Sequence, residues 1–107
     1  MSQTFERVRY LVAREDVKVS DHGYDELAED GILAGEAISG IHDGVVVEDY
    51  PEYAKGPCVL VLEHDSQGQP IHVLWGIPRG KEGPAVLITA YRPEPDRWSE
   101  DFTRRKR

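Results

Sequence analysis

The hydrophobic period of this chain changes once, and that change limits the folds open to it. Up to about residue 41 apolar residues recur at helical spacing, and beyond His42-Asp43-Gly44 they alternate. Phe5, Val8, Leu11 and Val12 define an amphipathic helix over residues 4–14, with Glu6, Arg7, Arg9 and Arg14 on its polar side. Val17-Lys18-Val19 alternates briefly. Ser20 and Asp21 then cap a second helix that runs to about Asp30, before Gly31. Leu33, Ala37, Ile38 and Ile41 carry a further helical stripe to about residue 41. Four strands follow, Gly44–Tyr50, Cys58–His64, Pro70–Ile77 and Ala85–Tyr91, with connections at Pro51–Pro57, Asp65–Gln69 and Pro78–Pro84. Short connections between successive strands give an antiparallel meander. After Pro93 and Pro95, Asp96 caps a C-terminal helix that carries Trp98 and Phe102 on one face. The expected fold is α+β, a four-stranded antiparallel meander with N-terminal helices and a C-terminal helix.

A chain of 107 residues is short for two packed domains, so residues 1–107 read as a single domain. Twenty acidic residues against 13 basic ones leave a net charge of −7, which opposes any general coating of nucleic acid or anionic membrane. Polyanion binding therefore has to be local. Cys58 is the only cysteine, so no disulfide framework or thiolate zinc cluster can form within one chain. Neither an apolar stretch of signal-peptide length nor a run of about 18 apolar residues occurs. The expectation is a cytoplasmic protein away from the membrane.

The Pro78–Pro84 loop suggests a register for the last hairpin in which paired residue numbers sum to about 161. Trp75 then meets Val86, Val73 meets Ile88 and Ile71 meets Ala90, making one sheet face continuously apolar. His72 and Tyr91 fall on the opposite face.

His22 stands one turn into its helix with Glu26 four residues on, a spacing at which a carboxylate can raise an imidazole pKa. His72 sits within an otherwise apolar strand, where a polar group must be hydrogen-bonded or solvated. Tyr91 and Arg92 end the last strand, suiting proton transfer and phosphate binding respectively. Each has a structural reading too: a surface helix histidine, a satisfied sheet histidine, a rim tyrosine, a solvated arginine. Arg104-Arg105-Lys106-Arg107 could follow a phosphate backbone or be a solvated end. His22, His42, His64 and His72 show no metal-ligand spacing, and no phosphate-binding loop, dinucleotide fingerprint or serine-hydrolase motif is present. No metal and no cofactor are expected.

Ser20-Asp21-His22-Gly23, the Gly44–Tyr50 strand, Pro70-Ile71-His72-Val73, Ile88-Thr89-Ala90-Tyr91-Arg92-Pro93 and Trp98, Phe102, Arg104 and Arg105 occur in an order that resembles the family called domain of unknown function 4258, over about residues 8–105. That family is distantly similar to small ribonuclease toxins of the RelE and BrnT kinds, and some members sit beside antitoxin-like partners. The resemblance implies a RelE-toxin-like fold and metal-independent cleavage of single-stranded RNA. Such cleavage needs a base for the 2′-hydroxyl, an acid for the leaving oxygen and a cation for the phosphorane. His22, His72 and Tyr91 would transfer protons, while Arg92, Arg104 and Arg105 would hold phosphate. Glu26 and Asp30 stand where the family pattern carries arginine. The alternative is a non-catalytic interaction domain, a degenerate toxin that binds a basic protein partner. Charge separates the two, because a ribonuclease should focus Arg92, Arg104 and the tail beside His22 and His72.

Overall fold

The structure, a computed structural model, describes residues 2–106. Helix α1 (Gln3–Ala13) opens on Ser2, whose side chain accepts from the Phe5 amide. It lays Phe5, Val8, Leu11 and Val12 on the core. Strand β1 (Val17–Val19) leads into α2 (Asp21–Glu29), which Ser20 caps by accepting from the Gly23 amide at 2.9 Å. The Ser20 hydroxyl also donates to the Ile88 carbonyl at 3.0 Å, tying that helix start to the last strand. Helix α3 (Ala34–Ser39) runs into a 3-10 turn at Gly40–Asp43. Strands β2 (Val45–Tyr50), β3 (Cys58–His64), β4 (Pro70–Gly76) and β5 (Ala85–Tyr91) complete the chain's regular elements.

The strands form one five-stranded sheet in the order β1-β5-β4-β3-β2. The expected meander is present as β2 to β5, all antiparallel. The four-stranded, wholly antiparallel sheet is corrected, because β1 joins the edge of β5 in parallel, Val17 opposite Ala85 and Val19 opposite Leu87. Local alternation over three residues cannot reveal a partner nearly 70 residues away.

Among the described residues the expected C-terminal helix is absent. Residues 93–106 instead form a non-helical segment closed by an isolated antiparallel bridge between Trp98 and Arg105. Asp101 explains why. Its carboxylate accepts from the Ser99 hydroxyl, the Thr103 amide and the Thr103 hydroxyl, and these bonds hold the acid down to about pKa 2. Such local side-chain bonds offer the backbone a turn in place of a helix. Phe102 sits at φ 62, a left-handed conformation that interrupts any helical run. Trp98 is nevertheless buried.

The last hairpin pairs His72 with Tyr91, Val73 with Ala90 and Leu74 with Thr89, then shifts so that Trp75 meets Leu87 and Gly76 meets Val86. Ile88 is the extra residue of this bulge. The expected register is therefore wrong, although His72 and Tyr91 do share a face. Ala85-Val86-Leu87-Ile88 is continuously apolar, so alternation gives no choice between registers there.

The helices cover the sheet's inner face, where Val59, Val61, Ile71, Val73, Trp75 and Leu87 are fully buried. Glu63 lies among them without exposure. Its Oε2 accepts from Trp75 Nε1 at 3.0 Å, while Oε1 finds no partner. The outer face carries His72, Leu74, Gly76 and Tyr91, and residues 93–106 cover its His72 end.

Candidate functional site

His72 is fully buried beneath that covering segment. Its Nε2 lies 2.8 Å from the Phe102 carbonyl oxygen, which can only accept, so Nε2 carries the hydrogen and donates. The neutral ring then presents Nδ1 as acceptor, and the Tyr91 hydroxyl donates to it at 3.1 Å. Burial depresses the His72 pKa and outweighs the Phe102 carbonyl, which acts the other way. Burial likewise raises the Tyr91 hydroxyl. Trp98 closes over the pair, its ring edge-on to the imidazole with centroids 4.3 Å apart.

The cover is pinned by charge at its far end. Arg105 donates from Nε to Glu48 Oε2 at 2.7 Å and from Nη2 to Oε1 at 3.0 Å, a bidentate pair. Its guanidinium also lies over Trp98, 4.8 Å from the ring centroid. The Tyr50 hydroxyl bonds the same carboxylate, and Arg105 above all holds Glu48 below the usual carboxylate range.

The six residues assigned to RNA chemistry are thus only partly brought together. His72 and Tyr91 touch, and Arg105 lies beside them through Trp98 and Glu48. Arg92 turns its side chain to Asp65 at 3.1 Å, and its backbone amide donates to Asp30 at 2.8 Å. Arg104 is exposed and shares a shallow surface depression with Ser99, Glu100 and Asp101. His22 stands on α2, in the helical layer of the inner face, exposed and 3.6 Å from Glu26. Among the described residues no three His, Cys, Asp or Glu side chains are grouped to hold a metal ion. No helix there is long and apolar enough to cross a membrane.

Sequence reasoning missed Glu48 and the Phe102 carbonyl as partners of this site. A backbone acceptor leaves no trace in residue type, but Glu48 leaves one: it stands one strand position from Asp49 and two from Tyr50, an acid inside an apolar alternation. Also missed was the open half of the outer face beside Tyr50 and Tyr53, two aromatics flanking Pro51 that stay exposed.

As the structure stands, both imidazole nitrogens are occupied and His72 is out of reach of water, while Tyr91 stays partly exposed. His72 can exchange a proton only through Tyr91. Acid–base work on an outside substrate requires the cover to leave.

No curated protein and no solved structure shows a significant match to this chain. A family model described as Domain of unknown function (DUF4258) matches residues 19–92. That span begins at the last residue of β1, contains α2, α3, the four meander strands, His72 and Tyr91, and stops before the covering segment. The chain belongs to the DUF4258 family.

Proposed function

We propose that this chain is a non-catalytic binding domain that engages a basic protein partner, of which an antitoxin-like chain is one form, in a reducing cytoplasm. The observation that supports this reading is the placement of unpaired charge. Two cations beside His72 and Tyr91 are matched by acids, Arg105 by Glu48 and Arg92 by Asp65, while Arg104 and Lys106 of the cover are exposed without an ion pair among the described residues. On α2 the unpaired charge is acidic. Asp21, Asp25 and Glu29 form one stripe four residues apart, all exposed, and none makes an ion pair among the described residues. Like charges at that spacing oppose helix formation, and the acid at the helix C-terminus opposes the macrodipole, whose last turn carries no basic residue. The stripe costs the fold something. Tyr24, 57% exposed on the same helix, gives a contacting partner apolar area beside the charge.

The test is titration calorimetry with an arginine-rich peptide. Saturable, salt-sensitive association that is lost in Asp25→Asn/Glu29→Gln supports the reading. No association, or association unchanged in the double variant, removes it.

The pairing of His72 with Tyr91 favours a second reading, a ribonuclease acting on single-stranded RNA once its cover opens. Metal-independent cleavage leaving 2′,3′-cyclic phosphate ends, abolished by His72→Gln, would replace the binding domain with this enzyme.

A further inference from the structure

The outer face that the covering segment leaves bare holds a groove of about 500 Å³. The size is that of a small-molecule site. Its floor follows from the bulge. Ile88, the extra residue, turns its side chain onto Gly76, where a Cβ would lie 2.7 Å from Ile88 Cδ1. Leu74 and Val86 complete an apolar floor that remains partly exposed. Three aliphatic side chains here are surplus to the core.

One end of the groove is walled by backbone packed too closely to shift freely. The Ile77 amide donates to the Pro57 carbonyl at 3.0 Å, and the Arg79 amide to the Lys55 carbonyl at 3.1 Å. Gly56 sits between them at φ +132, where a Cβ would meet the Ile77 carbonyl oxygen at 2.1 Å. This wall includes two cations, of which Lys55 reaches the groove. Lys55 lines the groove, and the Arg79 side chain is held to the Ala54 carbonyl at 3.3 Å. Neither makes an ion pair among the described residues. In a chain of net charge −7, an unpaired lysine at the end of an apolar trough marks the sign of what fits it.

We propose that this groove binds a small aromatic acid, its flat ring on Leu74, Val86 and Ile88 and its carboxylate at Lys55. Tyr50 and Tyr53 also line the trough and offer aromatic surface to a planar body. The site lies across the sheet from α2, so it is independent of the basic-partner surface.

Backbone amide NMR with indole-3-acetate tests the proposal. Saturable one-to-one shifts should centre on Cys58, Leu74, Gly76 and Ile88. Lys55→Gln should raise the dissociation constant about fivefold, as should replacing the acid by neutral 3-methylindole, since the ion pair is solvent-exposed. Gly76→Ala fills the floor by pushing the Ile88 methyl into the trough and should abolish binding. If that variant does not fold, Lys55→Gln still decides. Equal binding of tryptamine, the matching base, overturns the proposal, as does the absence of saturable shifts at these amides. An arginine-rich peptide that perturbs them when no indole acid does would make the groove part of a protein interface, and the proposal fails.

Discussion

Glu63 should make the protein less stable as pH rises through neutrality. Burial raises its carboxyl to about pKa 8, and the single bond from Trp75 only partly offsets that. Oε1 has no partner and rests against Gly40, whose missing side chain leaves the room it occupies. In the unfolded chain the group titrates near its ordinary 4.5. Between those values the native state holds a proton that the unfolded state has released. Stability from this group is therefore fully present below about pH 4.5 and is lost as pH rises through the folded pKa. The slope approaches 1.4 kcal/mol per pH unit, so roughly 3 kcal/mol disappears between about pH 5 and 7.5, a large share of a small domain's total. Glu63→Gln keeps the shape and an acceptor for Trp75 but cannot titrate. It carries a constant offset from its own unpartnered N–H groups and no slope from this site. Urea denaturation of both proteins across that window isolates the effect, because every other titrating group is common to the pair. The reasoning is refuted if the stability difference between wild type and Glu63→Gln stays constant with pH.

Glu15 follows α1 at φ 63 and is exposed, so Glu15→Gly should raise stability by roughly 1 kcal/mol in the same denaturation assay. Arg105 is 62% exposed at its side chain, and Arg105→Gln should cost no more than about 1 kcal/mol, shrinking in high salt. Trp98→Ala removes a nearly buried ring and should cost about 3–5 kcal/mol. The same variant should let the His72 pKa rise toward its ordinary value, measured by imidazole NMR, since burial is the main cause of its depression. That depression makes His72 a source of stability present above the unfolded pKa of about 6.5 and lost as pH falls.

The period change at residue 44 located the meander well because each of its strands is an apolar-rich run of six or seven residues joined to the next by a short connection. Its last register was not legible. Val86, Leu87 and Ile88 are interchangeable to a pattern that reads only apolar against polar, and the bulge decides which of them the helices cover. The C-terminal helix failed for a different reason. Trp98 and Phe102 at a spacing of four suggest a helical face, but Ser99, Asp101 and Thr103 between and beyond them bond one another more cheaply as a turn. That His72 and Tyr91 share a face was readable from β4 and β5 alone, but their direct pairing was not, since the expected register sets His72 opposite Thr89. His22 was not separable from them, because strand parity says nothing about which side of a sheet a preceding helix covers.

The two ends of the outer face differ in what their floors require. At one end β4 presents an imidazole from within an apolar strand, and its Nε2 hydrogen needs an acceptor once Trp98 excludes water. The covering segment supplies both the exclusion and the acceptor, the latter from Phe102, a residue held in left-handed backbone. Removing the Phe102 carbonyl while keeping Trp98 would leave a buried donor unsatisfied, at a cost of about 1–3 kcal/mol. Cover and histidine are therefore held together by a polar demand as well as by an aromatic ring. At the other end Leu74, Gly76, Val86 and Ile88 place no polar side chain on the floor, so nothing there demands a covering acceptor. Hence the closed polar end and the open apolar end follow from one alternation along β4, His72 and then Leu74 and Gly76. Chemistry at His72 must wait for the chain to move, whereas a ligand at Gly76 meets a surface already formed.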